Sequence, residues 1–276
     1  MARENMANPS QTLLTLVNHL LTQHPELAQH VERLAQHIQG KGYGTATIAQ
    51  ENEVVHALLG KEPTLVVDIG GNAGEYTAEV RRRNPNAEIH VFEPSATNIT
   101  KLGQRFGGDP KVRLLPYAVS DQNGAATLYS NESGSGLGSL SQRRLEHRGI
   151  DFRVTESVHT IRFEDYWRRD LNGAEIDIVK IDIEGHELSA LKGFGEAVSC
   201  AKVIQFEFGG CNIDTRTYFQ DFWYFFKEQG FDLYRITPFG AEAIRSYKEE
   251  DEYFSTTNYI AVNRKVNEVL RLPAEP

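Results

Sequence analysis

Apolar positions follow two rhythms along this chain. Leu13, Leu16, Val17, Leu20 and Leu21, then Leu27, Val31, Leu34, Ala35 and Ile38, recur at helical spacing. Ser10 is a candidate N-cap for the first helix, Pro25 suits the first turn of the second, and Gly40 ends it. Gly40-Lys41-Gly42-Tyr43-Gly44 reads as a flexible joint, and a short helix is expected over 50–59. From Thr64 onward, apolar runs alternate with helical stretches. Strands are expected at 64–69, 88–92, 112–119, 176–181 and 202–206, with an extra short one at 125–129. Helices are expected at 75–83, 98–106, 164–170, 187–192 and 218–229. Segments 231–236 and 258–263 are expected to close the sheet as an antiparallel pair. Such alternation implies an α/β, mostly parallel, doubly wound sheet with right-handed crossovers.

The most informative stretch is Val66-Val67-Asp68-Ile69-Gly70-Gly71-Asn72-Ala73-Gly74-Glu75, an apolar strand ending in an acid, then a glycine turn, then a helix. Ligands of such sheets lie at the carboxyl ends of the strands. A dinucleotide fingerprint needs glycines where Asn72 and Glu75 stand, and Glu75 would face a pyrophosphate with negative charge. No Walker sequence is present, so an NTP loop is not expected either. A cofactor without phosphate and with positive charge suits Asp68 better. Glu93 ends the next strand in His90-Val91-Phe92-Glu93-Pro94, where a carboxylate can accept from two ribose hydroxyls. Its alternative is a cap on the helix after Pro94. Together these features point to S-adenosylmethionine.

A second constellation is Lys180-Ile181-Asp182-Ile183-Glu184-Gly185-His186-Glu187. If the chain stays extended, Lys180, Asp182 and Glu184 share one face at the carboxyl edge of the sheet. Asp182, Glu184 and His186 are the candidate catalytic residues, and imidazole has the pKa nearest neutrality. Against this stand ordinary helix-start roles for Glu184 and Glu187. A divalent cation on these carboxylates is an alternative, but no second ligand cluster is near in sequence, so no metal is expected. Glu207 ends another strand at the same edge and Asn212 follows shortly after; the two either shape the acceptor pocket or bridge loops. The Gly- and Ser-rich stretch 131–138 reads as a mobile loop, and Ser133–Ser139 as a lid or a solvated linker.

These motifs, with Tyr117-Ala118-Val119-Ser120-Asp121, resemble the FkbM-type family of S-adenosylmethionine-dependent methyltransferases over residues 50–263. Gly71 stands where such sequences usually have Ala. The resemblance implies a Rossmann-like, seven-stranded class I methyltransferase fold and O-methylation of a hydroxyl on a sugar, polyketide or other secondary metabolite. Carried over by position, Asp68, Gly70, Asn72 and Gly74 would line the methionine moiety, Glu93 would hold the ribose, and Ala118 and Val119 would lie against the adenine. Asp182 would border the same cofactor. N-methylation of a small molecule and a non-catalytic, cofactor-binding scaffold are the alternatives.

Composition narrows the setting. The 276 residues are 40% apolar and 24% charged, as in globular proteins, and the net charge of −9 disfavours broad nucleic-acid binding. No apolar run reaches the roughly 18 residues of a membrane span. Met1-Ala2-Arg3-Glu4-Asn5 lacks the apolar core of a secretion signal, and two cysteines are too few for a disulfide framework, so the expected setting is the cytoplasm. The expected division is a helical extension over 1–60, a methyltransferase domain over 61–265 and a tail over 266–276. The N-terminal helices are expected either to pair two copies into a homodimer or to cover the acceptor pocket.

Overall fold

The computed structural model describes residues 8–42 and 47–265. Met1–Asn5, Tyr43 and Gly44 of the expected joint, and the 266–276 tail lie outside these residues.

In chain order the elements are α1 (Pro9–Gln23), α2 (Ala28–Ile38), α3 (Ile48–Leu59), β1 (Leu65–Ile69), α4 (Glu75–Arg83), β2 (Glu88–Phe92), α5 (Ala96–Phe106), β3 (Val112–Leu115), β4 (Ala118–Val119), β5 (Gly124–Ser130), β6 (Val154–Ile161), α6 (Phe163–Asp170), β7 (Ile176–Ile181), α7 (Glu187–Gly193), β8 (Ala201–Phe208), α8 (Cys211–Thr215), α9 (Phe219–Glu228), β9 (Phe231–Thr237), β10 (Gly240–Ile244) and β11 (Thr257–Asn263). The main sheet runs β10-β9-β11-β8-β7-β1-β2-β3. Strands β3, β2, β1, β7 and β8 are parallel, and β11, β9 and β10 add antiparallel pairs. The seven expected strands of the fold are present, and β10 adds an eighth through a hairpin.

Period-two alternation sorts the core into two layers. Leu65, Val67 and Ile69 of β1 face Phe163, Leu191, Phe194, Phe222 and Phe226 on α6, α7 and α9. Val66 faces the other way, toward Val55 and Leu58 of α3, Tyr76 and Val80 of α4, and Leu102 and Phe106 of α5. Helix α3 is thus built into the body of the molecule, capped by Thr47, whose hydroxyl accepts from the Gln50 N–H. Helices α1 and α2 bury no side chain, and Leu13, Leu16 and Leu34 are about 60% exposed (62%, 63% and 59%). Asn8, rather than Ser10, caps α1 by accepting from the Ser10 N–H.

One expected strand is corrected. Residues 112–119 do not form a single strand. Pro116 has no N–H to donate to a ladder, and β3 stops before it. Ala118 and Val119 then join a separate three-stranded sheet, β4-β6-β5. Its strand β6 has no counterpart among the expected elements.

Candidate active site

The carboxyl ends of β1, β2 and β7 open into a cleft whose empty space, open solvent included, is about 760 Å³. Gly70, Asn72, Glu93, Ala118, Val119, Asp182, Glu184 and His186 all line it. Eight of the ten residues singled out from the sequence therefore meet in one place.

Backbone geometry explains the turn after β1. Gly70 has φ +89°, and a Cβ there would stand 2.0 Å from the Asp182 carbonyl oxygen, so the turn closes only on glycine. The Gly70 and Gly71 N–H groups donate to the Phe92 carbonyl at 2.9 and 3.1 Å, fixing the turn against β2. Asn72 follows with φ 45°, and its N–H donates to Glu93 Oε2 at 2.8 Å. Ser95 N–H donates to Glu93 Oε1 at 2.9 Å. Glu93 thus ties the glycine turn to the entry of α5, the capping role given as its alternative, with Asn98 as a further side-chain partner. Burial raises its pKa, while the Ser95 and Asn72 N–H groups oppose the rise.

Asp68 and Gly74 stand outside the lining. Asp68 is 1% exposed and accepts from Thr77 Oγ1 at 2.6 Å. Burial raises its pKa, and the neighbouring Lys180 opposes this. Gly74, with φ +82°, begins α4, and a Cβ there would meet Phe106 at 2.5 Å. Its glycine is required by α4 packing on α5, without any ligand.

The extended alternation expected for Lys180, Asp182 and Glu184 does not hold. Strand β7 ends at Ile181, and Glu184 and Gly185 both have positive φ, 55° and 102°. Glu187 holds this turn: its Oε1 accepts from the Ile183 and Gly185 N–H groups, both at 3.0 Å. Burial raises the Glu187 pKa to about 7. Lys180 Nζ donates to Asp182 Oδ2 at 2.7 Å; burial opposes its charge, but Asp182 and Asp68 raise its pKa. Glu184 is paired with buried Arg143, which also lies 3.7 Å from Asp214. Burial and Asp182 raise the Glu184 pKa to about 7 against the pull of Arg143.

His186 stands against the residue that follows the Ala118–Val119 wall. Its Nε2 lies 3.0 Å from Ser120 Oγ, which donates to Asp121 Oδ1 at 3.1 Å. With the serine proton committed to Asp121, Nε2 donates and Nδ1 is left as an acceptor. Burial lowers the His186 pKa, with Asp121 opposing. Ser120, Asp121 and Arg143 were not among the expected site residues. Asp121 could have been suspected from the Ser-Asp pair after Val119, whereas Arg143 has no local signal.

Ser133, Gly134, Ser135, Gly136 and Gly138 also line the cleft. Thr97 Oγ1 meets Ser133 Oγ at 2.7 Å, and Ser139 Oγ donates to the Glu184 carbonyl at 2.8 Å. Glu93, Glu156, Asp182 and Glu184 line the cleft, and among the described residues no Lys or Arg does. A phosphate-bearing ligand would find no cation here. The lining is compatible with an adenosyl sulfonium, with carboxylates at Glu93 and Asp182 and an apolar surface at Ala118 and Val119. No His, Cys, Asp and Glu grouping suited to a metal occurs among the described residues.

The model of the Methyltransferase FkbM domain matches residues 68–233. The chain belongs to the FkbM methyltransferase family. It is a methyltransferase that uses S-adenosylmethionine. The 2-O-methyltransferase NoeI of Sinorhizobium fredii is 26% identical over 64% of this chain and 76% of that protein. The hexuronic acid methyltransferase AglP of Haloferax volcanii is 25% identical over 56% of this chain and 60% of that protein. A putative methyltransferase of Streptococcus mutans, solved with SAH, is 9% identical with a TM-score of 0.42, over 76% of this chain and 96% of that one.

Proposed function

We propose that this FkbM-family methyltransferase O-methylates a hydroxyl of a sugar, polyketide or other small secondary metabolite. The observation that carries the reading is an acid-lined cleft, with no Lys or Arg in its lining among the described residues, that ends at Asp182 just beyond β7. The names of NoeI and AglP support a sugar hydroxyl as the acceptor.

When bound, S-adenosylmethionine supplies an electrophilic methyl group on a cationic sulfur. Asn72 and Glu93 would hold the ribose end, Ala118 and Val119 the purine, and Asp182 would face the cation. Keeping the acceptor oxygen in line with the methyl can lower the barrier by about 7–11 kcal/mol. An alcohol must also lose a proton, so a carboxylate or His186 nearby would add about 10²–10⁴-fold. An amine attacks through its own lone pair, so carboxylates crowded at this edge favour an alcohol. The exposed leucines of α1 and α2 support pairing of two copies through these helices.

The test has two arms. Calorimetry should show S-adenosylhomocysteine binding that Glu93→Ala weakens at least tenfold. Tritium from methyl-labelled cofactor should pass to simple methyl glycosides rather than to primary amines. Label found only on amines would overturn the O-methylation reading, and absent binding would overturn the site.

A further inference from the structure

The order of strands separates the two halves of the reaction. Glu93 on the β2 side and Gly70 after β1 hold one end of the cleft, and Asp182 stands at its β7 end. In-line transfer brings the acceptor from beyond the methyl group, which is the β8 side. There the pairing of Ile181 with Phe206 sets Glu207 level with Asp182, just behind the cleft lining and beside Asp182 and Glu184, which belong to it; Glu207 is matched to Asn258 on β11.

Each of the other carboxylates around Glu207 has at least one partner. Asp182 holds Lys180, Glu184 holds Arg143, and Glu187 holds two backbone N–H groups. Glu51 of α3 accepts from Gln205 Nε2 at 3.0 Å and from Asn258 Nδ2 at 3.2 Å. Half-buried Glu207 has no hydrogen-bond or ion-pair partner among the described residues, so both its oxygens keep their acceptor capacity. We propose that Glu207 is the catalytic base, taking the acceptor's hydroxyl proton as the methyl moves.

The proposal rests on the O-methylation reading. As the acceptor oxygen bonds the methyl carbon, the carbon–sulfur bond breaks and its electron pair stays on sulfur. The hydroxyl proton passes to the Glu207 carboxylate and then to water. Asp182, Lys180 and Glu184 orient and balance charge without accepting that proton. The groups facing Glu207 are Lys180 on β7, Asp182 just beyond it, Glu184 in the turn, Glu187 on α7 and Cys211 on α8. Burial first, then Asp182, Glu184 and Glu187, push its pKa well above the ordinary carboxylate range, with Lys180 opposing. A carboxylate so placed is a stronger base than a solvated one.

The test starts without an acceptor. Carboxyl-labelled glutamate in the intact protein, saturated with S-adenosylhomocysteine, should show one resonance titrating above the ordinary glutamate range and missing from Glu207→Gln. A Glu207 resonance titrating like solvated glutamate would overturn the proposal. With a methyl glycoside that takes label, Glu207→Gln should lower kcat about 10²–10⁴-fold. It should also lose the acidic limb of the kcat/KM profile, with S-adenosylhomocysteine affinity unchanged. Glu207→Asp should restore part of the rate. A variant within threefold of the parent rate, with its acidic limb intact, would also overturn it. Failure of the parent protein to bind S-adenosylhomocysteine would instead strike the underlying reading.

Discussion

Glu187 shows how one buried carboxylate ties a functional turn to acidity. Its Oε1 holds the Ile183 and Gly185 N–H groups, and its Oε2 is buried without a partner. Because burial lifts its folded pKa to about 7 while an unfolded glutamate titrates near 4.5, the native state binds more protons than the unfolded state between these values. Stability contributed by this proton is present below about 4.5 and is lost as pH rises toward 7. Glu187→Gln keeps an acceptor for both N–H groups and removes the titration. Its melting temperature should therefore fall less between pH 5 and pH 8 than that of the parent, which paired thermal scans would measure. Glu184, also near 7, acts in the same direction. At this scale the sequence was most legible where local rules suffice: Gly70, Asn72 and Glu93 announced their place by strand–turn–helix order. Asp68 and Gly74 obeyed the same signal for a different reason, since burial on Thr77 and packing on Phe106 account for them. Arg143 was invisible because its partners Glu184 and Asp214 come from distant parts of the chain.

Elements were legible in proportion to how fully they are buried. Strands β1 and β7 are buried at every position and read as continuous apolar runs. Strand β6, Val154–Ile161, buries only two of its eight residues, so its sequence carries no such run. Strand β10 is likewise mostly exposed and depends on its hairpin with β9. The N-terminal elements divide by the same measure. Helix α3 buries Val55, Leu58 and Leu59, each contributing about 1.5–3 kcal/mol relative to exposure, whereas α1 and α2 bury none. Removing residues 1–38 should leave the melting temperature within a few degrees and keep S-adenosylhomocysteine binding. Removing residues 1–59 should lower the melting temperature sharply or prevent folding. Scanning fluorimetry of both truncations, with and without ligand, measures the difference.

The whole molecule carries a net charge of −9, and the acids lining its cleft add a local field of the same sign. Such a field draws in a cation and is screened by salt, with a Debye length of about 10 Å at 0.1 M. S-adenosylmethionine carries one more positive charge than S-adenosylhomocysteine. Raising ionic strength should therefore weaken binding of the former more than the latter, and calorimetry at two salt concentrations would show it. Equal losses would remove the electrostatic account of cofactor choice. The cleft also spans two sheets. Gly70, Glu93 and Asp182 extend from the eight-stranded sheet, while Ala118 and Val119 belong to the ribbon β4-β6-β5, whose strand β5 buries only Leu128 and Ser130. Regions with so little buried contact open before a core does. Warming should then loosen the ribbon while the central sheet still stands, so that S-adenosylhomocysteine affinity, followed by calorimetry at rising temperature, disappears in a separate, earlier step than cooperative melting.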